Sequence, residues 1–172
     1  MYVLAGLLPF SALLIIERER SRNKHPPDLT NIKAFLLMLQ YSEGTYGANA
    51  YRTLYGGGVF QGYGSHPGIA VTANGLTSTA AGAYQILQGT WQSVQAETGL
   101  PDFSPASQDR AAVELVRRRG ALGDVMEGKI VTAIDKCRKE WASLPGAGYG
   151  QHEQKLTTLL QVYQQAGGRF SG

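Results

Sequence analysis

The sequence predicts an α+β domain, mainly helical, with a small irregular antiparallel sheet and a cleft between the two. Three observations predict it. Apolar residues recur at helical spacing around residues 32–39, 86–94, 130–141 and 156–163. Between Thr45 and Thr79 that rhythm gives way to dense glycine and short β-branched or aromatic pieces. Hydrophobic residues make up 43% of the 172 residues and charged ones 17%, enough for one core and against disorder.

Each element has a local cause. Thr30 or Asn31 suits the cap of a first helix carrying Ile32, Phe35, Leu36 and Leu39, which should stop at Glu43-Gly44. Gly58-Val59-Phe60 and Ile69-Ala70-Val71-Thr72 read as strands of the small sheet. Tyr84 to Glu97 reads as a helix with a break near Gly89. Ser104-Pro105, a cap followed by a first-turn proline, starts another that runs to about Arg119 and ends at Gly120. Lys129 to Ser143 reads as an amphipathic helix facing Trp141. After the loop 144–150, a last helix carries Leu156, Leu159, Leu160 and Tyr163 and ends at Gly167-Gly168.

The chain has 16 basic and 13 acidic residues, a formal charge of +3. The excess lies in Arg18, Arg20, Arg22, Lys24 and Arg117–Arg119. These do not form one stripe and are not interleaved with aromatics, so no nucleic-acid partner is expected. The three arginines before Gly120 suit the negative end of a helix dipole. The single cysteine, Cys137, excludes an internal disulfide and falls on an apolar helix face with Ile130, Ala133, Ile134 and Trp141. It reads as a small buried hydrophobe. His25, His66 and His152 lie far apart without ligand spacing, so a metal site is not expected.

Residues 1–27 read as a unit apart from the domain at 28–172. Met1 to Ile16 is apolar, broken only by Pro9 and Ser11, and would reach roughly 24 Å as a helix, short of the ~30 Å hydrocarbon core. No basic stretch precedes it and no small-residue cleavage site follows, so a cleaved signal peptide fits poorly. A weak membrane anchor, an amphiphilic helix folded onto the domain, and an artefact of the start codon all stay open. Glu17 to Pro27 is charged, ends in a proline pair and reads as a linker.

Glu43 is the candidate for chemistry. At the C-terminal end of a helix the dipole disfavours a negative charge, and a flanking glycine-rich sheet would exclude water. Both raise a carboxyl pKa and favour a proton donor near neutral pH. Residues 44–96 contain no Asp and no Glu. A glycosidase of the two-carboxylate type needs a second acid across the bond, at ~5 Å or ~6.5–9.5 Å. A distant acid such as Asp102 or Asp109 would have to fold back. The same stretch holds Tyr46, Tyr51, Tyr55, Tyr63 and Tyr84, with Ser78, Thr79 and Gln85, groups that stack on sugars or hydrogen-bond them. Packing of a small sheet core accounts for part of these tyrosines. Gly56-Gly57-Gly58 is no phosphate loop, since no Lys-Ser/Thr follows. It reads as one lip of the cleft, and Gly146 to Gly150 as a second, with Tyr149 at its tip.

These segments resemble the lambda-type endolysin family in order, from about Asn31 to Arg169. The resemblance is carried by residues 35–45, by Gly57-Gly58-Val59-Phe60 with Tyr63 and His66-Pro67, and by Ser78 to Leu87. Phe103-Ser104-Pro105 with Ser107-Gln108-Asp109, Arg119-Gly120-Ala121-Leu122, and residues 134–151 complete it. It implies a lysozyme-like fold, lytic transglycosylase activity on peptidoglycan glycan strands, and no metal or other cofactor. The family's catalytic glutamate falls on Glu43, which would protonate the bond between N-acetylmuramic acid and N-acetylglucosamine. The same carboxylate would then deprotonate the C6 hydroxyl that closes a 1,6-anhydro ring. Tyr63, Ser78, Tyr84, Gln85, Tyr149 and Gln151 are the expected substrate contacts. The two lips correspond to residues around 56–67 and 144–151.

The chain departs from the family where relatives carry acidic residues in the first lip and it has Val59, Gly62 and Ser65. It also has about 27 extra residues at the start. That extension resembles a signal-anchor-release segment, which implies transient inner-membrane association through residues 1–16 and action in the host envelope or periplasm. Without the tether, the protein would stay cytoplasmic until lysis. The basic cluster after the run argues the other way, since it would hold the following chain in the cytoplasm. A monomer is expected. Two other classes compete: a two-carboxylate muramidase acting on the same bond, and a non-enzymatic protein that disrupts membranes through its apolar start.

Overall fold

The computed structural model describes residues 29–150 and 152–171, so the expectations for residues 1–27 lie outside the described residues. Among the described residues, six α-helices and one hairpin follow in chain order. Helix α1 is Leu29–Ser42, α2 Gln88–Thr98, α3 Pro105–Arg118, α4 Leu122–Met126, α5 Ile130–Cys137 and α6 Leu156–Gln165. Strands β1, Val71–Ala73, and β2, Leu76–Ser78, pair antiparallel. No helix of the described residues is long and apolar enough to cross a membrane.

Helix α1 is the axis of the fold. Ile32, Ala34, Phe35, Leu36, Met38 and Leu39 are buried, and so are the polar Asn31, Gln40 and Ser42. A helix buried on most of its circumference lies inside a domain, and α1 packs against α3, α4 and α6. Asn31 is therefore no cap. It sits inside the helix, where its amide donates to the Met126 carbonyl at 3.3 Å and accepts from the Arg169 N–H at 2.8 Å.

The other end stops as expected. Gly44 has φ +69°, its N–H donates to the Tyr41 carbonyl, and the Thr45 N–H donates to the Gln40 carbonyl. That pair of bonds is a Schellman motif, and it makes Glu43 the residue at which the helix ends.

The expected sheet is smaller than the sequence suggests. Val71 pairs with Ser78 and Ala73 with Leu76 around a two-residue turn, Asn74-Gly75, with both φ angles positive (+53° and +78°). That is the twist a tight hairpin requires. Val59 contributes a single bridge to Thr53 in place of a strand.

Two expected helices are shorter. Residues 79–87 are not helical: Ala81 pairs with Ile86 and the chain doubles back through Gly82 (φ +78°) and Gln85 (φ +46°). A Cβ at Gly82 would lie 2.1 Å from Oε1 of Gln108, so this close approach requires glycine. Helix α2 accordingly begins at Gln88. Helix α5 ends at Cys137 and not at Ser143, because the next turn folds Trp141 inward, where its indole N–H donates to the Tyr84 carbonyl at 3.0 Å. Helix α4, five residues long, is too short for a periodic signal in the sequence.

Ser104 caps α3 as its sequence predicts, its hydroxyl accepting from the Ser107 N–H. Beneath the glycine-rich lobe, Phe103 is ringed by Trp91, Phe60 and His66 at centroid distances of 4.7, 5.9 and 4.8 Å. The arginines near Gly120 are engaged in ion pairs. Arg117 and Arg118 meet Glu114, and Arg119 meets Glu140. Cys137 is fully buried and burial pushes its thiol up to about 12, so it behaves as a hydrophobe.

Candidate active site

A cleft of about 740 Å³ opens where α1 ends. Thr53 to Gly57 and the hairpin turn form one wall, and Ser143 with Tyr149, Gly150, His152 and Gln154 the other. Glu43 lies between them. Burial raises its pKa from the ordinary 4.5 to about 7, opposed by one hydrogen bond from Ser143. The Ser143 hydroxyl donates to Oε1 of Glu43 at 2.5 Å and is itself 2.6 Å from the Ser42 hydroxyl. Among the described residues lining the cleft, Glu43 is the only carboxylate. Groups of His, Cys, Asp and Glu arranged to hold a metal ion are absent among the described residues.

The two acids that could have folded back do not reach the lining. Asp102 accepts from the Ser104 N–H and the Ser107 hydroxyl at the start of α3, and the Ser104 side chain, then its N–H, then the Ser107 hydroxyl hold its carboxyl below the usual range. Asp109 lies behind a layer of tyrosines. Its carboxylate accepts from Tyr84 at 2.6 Å and Tyr51 at 2.9 Å, and burial raises its pKa. Gln40, three residues before Glu43, donates to the Tyr84 hydroxyl at 3.2 Å, which completes a polar layer beneath the cleft floor.

The expected binding residues divide. Gln85 lines the cleft. Its amide nitrogen donates to the Thr53 and Gly82 carbonyls, so its amide oxygen is what it can offer a ligand. Tyr149 lines the cleft from the lip, 57% exposed, with its hydroxyl donating to the Lys139 carbonyl. Tyr84 does not reach the cleft, being 1% exposed with its hydroxyl turned to Asp109. Tyr63 packs edge-on to Phe60, outside the lining, and Ser78 accepts from the Ala80 N–H outside it too. Gln151 lies outside the described residues.

Ser143, Thr53, Asn74, His152 and Gln154 also line the cleft, beyond the residues to which the sequence points. Ser143 stands 100 residues from the carboxyl it bonds, so no local pattern points to it. Asn74-Gly75 did carry a signal, since that dipeptide marks a tight hairpin and so locates the wall.

The family model for endolysins matches residues 33–170, nearly all of the described chain. The chain belongs to the endolysin family. The endolysin of Escherichia phage lambda is 46% identical over 143 residues, covering 79% of this chain and 90% of that protein. The endolysin of Escherichia phage P2 is 45% identical over 156 residues, covering 80% and 93%. A solved structure of bacteriophage lambda lysozyme complexed with a chitohexasaccharide superposes with a TM-score of 0.79 at 44% identity, covering 82% of this chain and 96% of that one. This endolysin therefore has the lysozyme-like fold that the order of its segments implies, and it is a peptidoglycan-degrading enzyme of phage lysis.

Proposed function

We propose that this endolysin is a lytic transglycosylase that cuts the β-1,4 bond between N-acetylmuramic acid and N-acetylglucosamine. The carrying observation is Glu43 as the lone carboxylate among the described lining residues, with a pKa near 7. Protonated Glu43 gives its proton to the glycosidic oxygen as the bond to muramic C1 breaks. The carboxylate left behind takes the proton of the muramic C6 hydroxyl as O6 bonds to C1. The 1,6-anhydro ring closes, the proton is back on Glu43, and no water is consumed. An acid whose pKa lies near the working pH can serve in both directions at little cost.

The two-carboxylate reading requires a second acid at ~5 Å, or at ~6.5–9.5 Å with room for water. Asp102 and Asp109, the acids that could have supplied it, are committed elsewhere. The solved lambda lysozyme carries a chitohexasaccharide, which supports a glycan strand as the occupant of this cleft. We assign the site of action to the host envelope, with residues 1–16 as a tether before release. Fractionation that finds the full chain wholly cytosolic before lysis removes the tether. Mass spectrometry of digested peptidoglycan tests the chemistry. Anhydro products are one water lighter than hydrolysed ones, and hydrolysed products alone would overturn the transglycosylase reading.

A further inference from the structure

Glu43 has two oxygens, and the structure treats them differently. Oε1 accepts from Ser143, whereas Oε2 has no hydrogen-bond partner among the described residues. A serine hydroxyl carries one hydrogen, yet Ser143 stands at hydrogen-bond distance from both Glu43 (2.5 Å) and Ser42 (2.6 Å). When its hydrogen points at Oε1, Ser42 must be the donor to Ser143. The last residue of α1 thus orients the hydroxyl that orients the acid.

Ser143 is itself held from both sides in the chain. Its carbonyl accepts from the Gln154 N–H at 2.8 Å, closing the base of the lip. Two residues earlier, the Trp141 indole is fixed to the Tyr84 carbonyl. A side chain this short on a backbone held in this way has few other places to put its oxygen. Ser42 is 4% exposed, so bulk water does not compete for its proton.

We propose that Ser143, oriented by Ser42, is a positioning residue that commits Oε1 of Glu43, so that the acid gives and reclaims its proton through Oε2. The proposal rests on the acid role assigned to Glu43 above. In the charged state the chain of donors runs Ser42 to Ser143 to Oε1, and Oε2 is left as the base. In the neutral state the proton sits on Oε2, and the same two serine bonds persist. The two serines therefore need not move during turnover, which is the condition for a preorganised site. The other titratable side chains lining the cleft are His152 and Tyr149 in the lip wall and Tyr55 opposite; outside the lining, Glu153 is tied to the Gly146 and Gly148 N–H groups of the lip, and Asp109 is held by Tyr51 and Tyr84. None of them exchanges a described hydrogen bond with Glu43.

The test compares Ser143→Ala, Ser42→Ala and Ser143→Thr with wild type in two measurements. One is the pH dependence of kcat and KM for glycan cleavage; the other is the carbon-13 titration of the Glu43 carboxyl without substrate. Loss of one hydrogen bond to a carboxylate should move the Ser143→Ala midpoint up by about one pH unit. Its kcat should fall about tenfold or more, with KM within about twofold. Ser42→Ala should shift the midpoint the same way by less, and Ser143→Thr should restore both quantities. A Ser143→Ala protein that titrates at the wild-type midpoint, with kcat within about twofold, overturns the proposal, whatever its melting temperature. If Ser143→Ala does not fold, an unmoved midpoint in Ser42→Ala overturns it instead. If wild type yields no anhydro products, the transglycosylase chemistry fails, while the titration still decides what Ser143 does to the carboxyl.

Discussion

The Trp141 indole N–H donates to the Tyr84 carbonyl at 3.0 Å across 57 residues of chain, and both partners are buried. Gln85 follows one of them and Ser143 stands two residues beyond the other. The bond therefore fastens the two sides of the cleft behind Glu43. Trp141→Phe keeps most of the volume but leaves a buried carbonyl without its donor, which costs about 1–3 kcal/mol. Urea unfolding should show that loss, with a fall in kcat as Ser143 and Gln85 loosen.

Glu43→Gln should lose glycan cleavage by about three orders of magnitude or more, since it removes both the donor and the base. Retained bond breaking in a turbidity assay would show that another group does the chemistry. The same variant should be more stable than wild type at alkaline pH. Folding raises the Glu43 pKa from 4.5 to about 7, so the native state binds the proton more tightly than the unfolded chain. The stability from that proton is complete below pH 4.5 and lost as the pH rises through about 7. Above that, the carboxylate costs up to about 3 kcal/mol, which the glutamine avoids. Melting temperatures of the two proteins should converge at low pH and separate above neutrality.

The pH profile of kcat/KM should be flat on the acid side of about 7 and fall above it, because the free enzyme must present a protonated Glu43. A profile that rises through pH 7 would reverse the role given to this carboxyl.

His66 predicts an opposite dependence. Its Nε2–H donates to the Ile86 carbonyl at 2.8 Å and its Nδ1 accepts from the Gly68 N–H, so the ring is held neutral in one tautomer. Burial lowers its pKa below the ordinary 6.5. Its contribution is present above pH 6.5 and drains away as the pH falls through the lowered value. Thermal melts should show this acid loss in wild type and a smaller one in His66→Gln.

Gly82→Ala should be among the most damaging single substitutions. The new methyl would meet the Gln108 side chain, and φ at +78° strains any L-residue. A loss of about 2 kcal/mol or more is expected, with proteolysis of the 79–87 turn as a sensitive readout.

Legibility in the sequence followed the range of the interactions. Glu43 could be placed because the signal for it is local: apolar spacing in α1 and glycine immediately after. Ser104-Pro105 and Gly120 bounded α3 for the same reason. The apolar spacing from Lys129 overshoots the helix end by six residues, because their course is set by Trp141 reaching a carbonyl in another part of the chain. Composition groups Tyr84 with the sugar-facing aromatics because it says nothing about direction. The turn through Gly82 and Gln85 leaves the phenol buried against Asp109 and puts the neighbouring amide in the cleft. Ser143 was out of reach for any local pattern. The whole of its importance lies in a contact made after the fold has closed.

Since α1 is packed on most of its circumference and stops at Glu43, residue count along it acts as an angular setting for the acid. One residue added or removed between Leu39 and Glu43 would swing the carboxyl by about 100° around the helix axis. The core contacts upstream would not change. Such an indel would turn the proton donor away from the cleft, so the length of this short stretch is fixed by the chemistry as well as by the packing.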